Sequence, residues 1–274
     1  MQPTPSLSLL GTRVASVTYD EAVAVVLDAA KQTAPHGYVC AVNVHSVSLA
    51  RRDEAYRRVL NGALLAVPDG TPLVWAHRLL GGRRLPERVY GPTLMLRLCA
   101  AAARENVPVY FYGGRPGVAE TLARRLAERF PGLKIAGAFS PPFRDSGEAG
   151  DDRLPQEIEA MNSSGARLVF IGLGAPKQEL FMARHAGKIN AVQIGVGAAF
   201  DFHAGRVAQA PGWLQRLGLE WLFRLLCEPR RLWRRYLFYN PYFVVRVGLQ
   251  WLGLDAPSRE LTRAAVSAQD SHAR

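Results

Sequence analysis

The chain has 274 residues, 49% of them hydrophobic and 21% charged, the composition of a folded globular protein with room for a sizeable core. This excludes a disordered chain, a collagen-like chain and a small disulfide scaffold, and three cysteines far apart in sequence (Cys40, Cys99 and Cys227) fit a reducing compartment. The net charge is +11, with 30 arginines among 34 basic residues, so an anionic partner is expected: nucleic acid, acidic lipid or a phosphorylated substrate.

The first ten residues show no basic segment followed by a long apolar core, and no apolar run reaches about 18 residues. Neither a signal peptide nor a transmembrane helix is expected, and the expected location is cytoplasmic. In chain order, Thr18 to Thr33 reads as a helix and Tyr38 to Val44 as a strand. Ser46 to Asn61 reads as one helix with Arg51, Arg52, Arg57 and Arg58 on its wet side. Ala63 to Val67 follows as a buried strand closed by Pro68-Asp69-Gly70, then a helix from Thr71 to Leu80. The clearest unit begins at Val107: a strand to Tyr112, a glycine turn from Gly113 to Gly117, a helix from Val118 to Phe130 and a strand from Lys134 to Ala138. The order recurs in the strand Arg167 to Ile171, a glycine turn, the helix Pro176 to His185 and the strand Val192 to Val196. Such units are right-handed βαβ crossovers, so the predicted fold class is α/β, with a Rossmann-like, largely parallel sheet flanked by helices.

Pro141 to Gly150 turns to Pro, Gly, Ser and acid and reads as an exposed loop. Pro211 to Trp251 holds four of the five tryptophans and seven arginines against two glutamates. Pro229 and Pro241 are expected to divide it into about three short helices. The predicted organisation is an α/β core over 1–205, a basic aromatic helical appendage over 206–252 and a disordered tail over 253–274.

Ligands of open parallel sheets bind beyond the carboxyl ends of the strands. That singles out the turns Asn43 to His45, Pro68 to Thr71, Gly113 to Gly117 and Gly172 to Gln178. In Gly172-Leu-Gly-Ala-Pro-Lys-Gln-Glu179, Gly172 and Gly174 let a ligand approach the backbone, and Pro176 suits a helix start. Lys177 and the helix N-terminus favour an anion. The turn is neither a Walker A loop nor GxGxxG, so it indicates neither ATP nor NAD, and an ordinary strand-to-helix turn is an equal reading. Asp69 reads as a general base facing the crevice or, more simply, as the N-cap of the helix from Thr71. Asp201 reads as a ligand to a hydroxyl or as a turn-closing residue, and Arg88 as a phosphate partner or a solvated side chain. Six histidines without HxxxH or HxH spacing and three scattered cysteines make no metal site, and no DxD is present. His45 and His203 read as ordinary polar groups near the crevice. Arg224, Arg231 and Arg235 fall at helical spacing on one side, with Arg230 and Arg234 one turn apart and aromatics between. This suits an anionic membrane surface; nucleic-acid binding and a plain helical cap are the rivals.

Several of these segments stand in one order and spacing: Asn43, Pro68-Asp69-Gly70, Arg88-Val89 with Gly91, Tyr112-Gly113-Gly114 and the 172–179 turn. Gly195-Val-Gly-Ala-Ala-Phe-Asp-Phe202, Leu217-Gly218-Leu219-Glu220-Trp221 and Glu228-Pro-Arg-Arg-Leu-Trp-Arg-Arg-Tyr236 follow. In this the chain resembles the WecG/TagA/CpsF glycosyltransferases of bacterial cell-surface polysaccharide assembly. The resemblance implies an inverting, metal-independent and cofactor-free enzyme. It would move a sugar from a UDP-sugar (N-acetylmannosamine type, uronic acid or glucose) to a polyprenyl-diphosphate-linked saccharide at the cytoplasmic membrane face, where it would be peripherally bound. Asp69 matches the family's proposed base, and Asn43, Arg88, Gln178 and Asp201 match its active-site residues. Without a DxD-held metal, the charge on the leaving UDP would fall to backbone N–H groups around Gly172 and Gly174, to Lys177 and to Arg88. Arg224, Arg231, Arg234 and Arg235 would meet the acceptor or the anionic membrane surface. No nucleic-acid partner is implied, and a homo-oligomer is left open. The chain departs from the family's pattern at Ala41, where Thr is frequent, and at Thr93, where Asp is frequent; both bear on sugar recognition. The competing class is a non-catalytic nucleotide- or nucleic-acid-binding α/β module with a basic tail.

Overall fold

Two sets of strands organise the residues described by the computed structural model, 4–142 and 154–255; the side chains of Arg216, Arg231 and Arg235 are not described. The first set is an antiparallel hairpin of β1 (Ser6–Leu9) and β2 (Thr12–Ala15). The second is a six-stranded sheet of β3 (Tyr38–Val42), β4 (Leu65–Pro68), β5 (Val109–Gly113), β6 (Ile135–Phe139), β7 (Leu168–Gly172) and β8 (Val192–Gly195). Its order is β4-β3-β8-β7-β5-β6 and every pairing is parallel. The helices between are α1 (Tyr19–Ala30), α2 (Val44–Arg52), α3 (Glu54–Asn61), α4 (Thr71–Leu79), α5 (Gly91–Glu105), α6 (Val118–Arg129), α7 (Leu154–Ser163), α8 (Lys177–His185) and α9 (Ala199–His203). Three more follow the sheet: α10 (Gly212–Arg216), α11 (Glu220–Cys227) and α12 (Pro229–Trp251). The fold is α/β with a parallel sheet flanked by helices, as the recurring strand–turn–helix pattern predicted.

The pleat explains why the strands read as continuous apolar runs. Leu168 and Phe170 of β7 and Val109 and Phe111 of β5 face one core, shared with α1, α5, α6 and α9. Val169, Ile171, Tyr110 and Tyr112 face a second core, shared with α2, α3 and α8. A strand buried on both faces has no polar alternation to show. Local signals fix the ends of the helices: at α1, Thr18 accepts from Glu21 N–H and the Glu21 carboxylate accepts from Thr18 N–H, a complete capping box.

Three expectations are corrected. The helix read over 46–61 is two helices, because Asp53 takes an extended conformation and accepts from Tyr56 N–H as the N-cap of α3. Arg57 is 6% exposed rather than wet, and Arg51 pairs with Asp255. Pro241 does not end a helix. It lies inside α12, where the carbonyl it deprives of a partner belongs to exposed Leu237 and water can serve it. Pro229, by contrast, divides α11 from α12 as expected, standing in the first turn of α12. The expected loop at 141–150 lies outside the described residues from 143 on, and the expected tail from 256 on.

α12 is held to the core at its far end. Gln250 accepts from Leu10 N–H at 2.9 Å and donates to Ser8 O at 2.8 Å, and Asp255 receives Arg51 and Arg246. At the sheet's carboxyl edge, Gly113 has φ +130°, and a Cβ there would stand 2.7 Å from the backbone of its partner Gly172. Gly113→Ala is therefore expected to destabilise the protein by roughly 2–3 kcal/mol. Urea unfolding measures this, and an unchanged midpoint would refute it.

Candidate active site

The carboxyl ends of the parallel strands open into one cavity of about 780 Å³, within the usual size range of small-molecule sites. Each strand of the sheet delivers to it: Ala41 and Asn43 at the end of β3, Asp69 after β4, Gly114 and Arg115 after β5, Pro141 and Pro142 after β6, Gly172 to Gln178 at the end of β7, and Gly195 to Asp201 at the end of β8. The C-terminal helices close it from outside with Arg224, Leu232, Arg234 and Tyr239. Five cations (Arg115, Lys177, Arg184, Arg224 and Arg234) and two carboxylates (Asp69 and Asp201) line it among the described residues, so the site suits an anion.

Asp69 does not cap α4: Gly70 stands at that N-cap and no side chain serves it. Instead Asp69 Oδ1 accepts from Gly91 N–H at 3.3 Å, at the first turn of α5, while Asp69 N–H donates to Val42 O at 2.7 Å. Burial pushes the carboxyl up from 3.8 to about 7; Arg88 opposes this, Glu220 adds to it, and the Gly91 N–H and Arg224 oppose it. A carboxylate near 7 in a cavity is poised to take a proton at neutral pH.

Gly172 to Ala175, Lys177 and Gln178 of the 172–179 turn line the cavity, with Pro176 at the N-cap of α8. Gly174 has φ +78° with open space where a Cβ would be, whereas a Cβ on Gly172 would meet the Phe200 ring at 2.7 Å. Gly174 thus answers to the cavity and Gly172 to the core. Gln178 is 4% exposed and donates from Nε2 to Glu179 Oε1 at 2.9 Å, which turns its carbonyl oxygen towards Gly197. Asn43 caps α2 by accepting from His45 and Ser46 N–H, so a contact it makes with a ligand uses its amide N–H groups. Lys177 and Asp201 both line the cavity. His45 meets Tyr239 edge-on at 4.8 Å, and His203, which does not line the cavity, bonds the O of the lining residue Pro92 at 2.9 Å.

Arg88 is placed differently from a phosphate ligand. It does not line the cavity; its Nη2 donates to Glu220 Oε2 at 2.5 Å and Gln215 Oε1 at 3.2 Å, and the guanidinium covers the Tyr90 ring at 4.2 Å. The arginine stripe is also rearranged. Arg224 lies on α11 and the others on α12, because the helix breaks at Glu228. Arg224 and Arg234 reach the cavity; the side chains of Arg231 and Arg235 are outside the described residues. Arg115, Arg184 and Glu220 were missed. Arg115 stood in a turn already singled out, but no local pattern marks Arg184, or Glu220 as the partner of a residue 132 positions away.

Among the described residues no three His, Cys, Asp or Glu side chains gather as a metal site would need, and no helix is long and apolar enough to cross a membrane. A family described as the "Glycosyl transferase WecG/TagA/CpsF family" matches residues 7–257. Two relatives carry the name N-acetylglucosaminyldiphosphoundecaprenol N-acetyl-beta-D-mannosaminyltransferase. The one from Bacillus spizizenii is 34% identical over 194 residues, 70% of this chain and 72% of its own. The one from Bacillus subtilis is 31% identical over 205 residues, 74% of this chain and 76% of its own.

Proposed function

The chain belongs to the WecG/TagA/CpsF family of glycosyltransferases, and from that premise we propose that it transfers a sugar from a UDP-sugar to a polyprenyl-diphosphate-linked saccharide, with inversion and without a metal. The observation that carries this reading is one cavity that joins Asp69, held near 7, to five cations. The acceptor hydroxyl attacks the anomeric carbon from the side opposite the diphosphate. The new C–O bond forms as the bond to the UDP oxygen breaks, the hydroxyl proton passes to the Asp69 carboxylate, and the electron pair leaves with UDP. The charge gained by UDP falls to Lys177, Arg224 and Arg234 and to the N–H groups at the start of α8, which supply what a metal supplies elsewhere. Asn43 and Asp201 bind substrate hydroxyls or amides. Arg88, engaged by Glu220, acts on Asp69 rather than on a phosphate.

The donor is a UDP-sugar of the N-acetylmannosamine, uronic acid or glucose type. Ala41 widens the cavity wall beside Gly91, and Thr93 is turned to the Tyr19 hydroxyl. The lipid-linked acceptor, as in the relatives' names, fits the C-terminal helices. Leu226, Trp233, Leu237 and Phe238 are exposed there among arginines, a composition that suits peripheral binding to the cytoplasmic face of an anionic membrane.

UDP release over a panel of UDP-sugars, with and without a short-chain prenyl-diphosphate-linked N-acetylglucosamine and in EDTA, tests the reading. Release from one donor, dependent on the acceptor and unchanged by EDTA, is expected. Activity restored only by added Mg²⁺ or Mn²⁺ would overturn metal independence, and silence across the panel would overturn the transfer itself.

A further inference from the structure

The space behind Asp69 is filled by a side chain from a distant part of the chain. Glu220 begins α11, is 7% exposed, and brings its carboxylate to Arg88 at 2.5 Å. Gln215 of α10 takes a second bond from the same guanidinium nitrogen at 3.2 Å. No ion pair joins Arg88 to Asp69 among the described residues, although each acts on the other through space. The groups that face Asp69 come from three directions: Tyr19 of α1, Arg88 and Tyr90 from the segment that leads into α5, and Glu220 and Arg224 from α11. α11 therefore adds one anion and one cation to a pocket that would otherwise hold Asp69 with Arg88 alone.

We propose that Glu220 is a positioning residue for the transfer reaction: it holds the Arg88 guanidinium away from Asp69, so that Asp69 stays a base instead of becoming half of an ion pair. A carboxylate paired with arginine is a weak proton acceptor, because the partner stabilises the ionised form. Glu220 takes that partner. Arg224, one helical turn further along α11, acts on Asp69 with the opposite sign. The C-terminal helices thus set the basicity of the residue that accepts the proton, in addition to closing the cavity. This rests on the reading of Asp69 as the base.

The test uses two variants of the full chain on the same helix. The Asp69 carboxyl carbon is titrated by ¹³C NMR without substrate, its signal assigned by its loss in Asp69→Asn. Glu220→Gln, which keeps the shape and an acceptor for Arg88 but removes the charge, is expected to move the midpoint down by about 1 pH unit or more, and Arg224→Gln to move it up. The acid limb of kcat/KM should follow the Glu220→Gln shift. Midpoints that stay put, or that move the same way in both variants, would overturn the proposal, because a purely structural role of α11 has no sign. If Glu220→Gln does not fold, Glu220→Asp, which draws the carboxylate back by one methylene, must shift the midpoint down by a smaller amount. A wild type inactive on every donor would defeat the transferase reading and leave the titration to decide this one.

Discussion

Asp69→Asn is expected to lower turnover by roughly 10²–10⁴-fold, the usual contribution of a general base, while making the protein more stable above pH 7. The two effects have one cause. The amide keeps an oxygen for the Gly91 N–H, which donates to Asp69 Oδ1 at 3.3 Å, so the geometry at the start of α5 survives, but it cannot accept a proton from the acceptor hydroxyl. The stability change follows from proton linkage. The folded protein holds the Asp69 proton up to about 7, whereas the unfolded chain releases it near 3.8. Below 3.8 both states are protonated and the buried group costs nothing extra. As pH rises from 3.8 to 7 the unfolded state gains by ionising and the folded state does not, so stability drains away across that window. Asn has no such loss, and above pH 7 it should be ahead by roughly 2–4 kcal/mol. Thermal melts at pH 4 and pH 8 read the difference, which should vanish at the lower pH. In the wild type, kcat/KM should fall about tenfold per pH unit below 7 as the base is protonated. A variant that keeps more than a tenth of wild-type turnover would remove Asp69 from its role.

Such a tuned carboxylate depends on residues from opposite ends of the chain. The sheet brings Asp69, Gln178 and Gly197 to one edge, because all six strands are parallel and each ends in a turn at the same side. The C-terminal helices then bring Arg224 and Arg234 over the opening and Glu220 behind it. The cations that would meet a diphosphate belong to both parts: Lys177 to the sheet edge, Arg224 and Arg234 to the helices.

Much of this was readable where local chemistry punctuates the chain. The glycine turns after β5 and β7 mark their strands because a βαβ unit needs a tight exit into a helix, and both turns line the cavity. Where punctuation is short or serves another purpose, it misleads. The hairpin at Ser6–Ala15 has strands of four residues each, too brief to show a period. α5 was missed because its first turn, Gly91-Pro92, looks like loop chemistry; proline at N1 or N2 is in fact compatible with a helix start. Asp53 sits in a run with helical periodicity, and only the packed structure shows it extended and capping α3. Asp69 was ambiguous between cap and base because both uses place an acid before a helix; the bond to Gly91, 22 residues away, decides against the cap. Arg88 reads in the sequence as a phosphate partner, but it does not line the cavity, since the partner that holds it comes from α11.

That partner supplies the second large effect. Arg88→Leu is expected to destabilise the protein by about 3–5 kcal/mol, the usual result of removing one side of a buried ion pair. It leaves Glu220 desolvated without its ion-pair partner and close enough to Asp69 to act on it, so two carboxylates share a low-dielectric space and Gln215 loses a donor. Glu220→Leu should cost less, because the guanidinium keeps Gln215 and the Tyr90 ring and gains Asp69 as a new anion to approach. The double variant Arg88→Leu/Glu220→Leu should recover most of the loss, since an apolar pair of suitable size often replaces a buried ion pair at little cost. Urea unfolding of the four proteins measures the coupling, and a double variant as damaged as the sum of the singles would show that the two groups stabilise the fold independently. Turnover should not recover with stability. With both charges gone, Asp69 loses a larger lowering influence (Arg88) than raising one (Glu220), so burial, opposed only by the Gly91 N–H and Arg224, keeps its proton on to higher pH. A double variant that folds well and still transfers sugar at the wild-type rate would mean that the pair serves docking of the C-terminal helices alone.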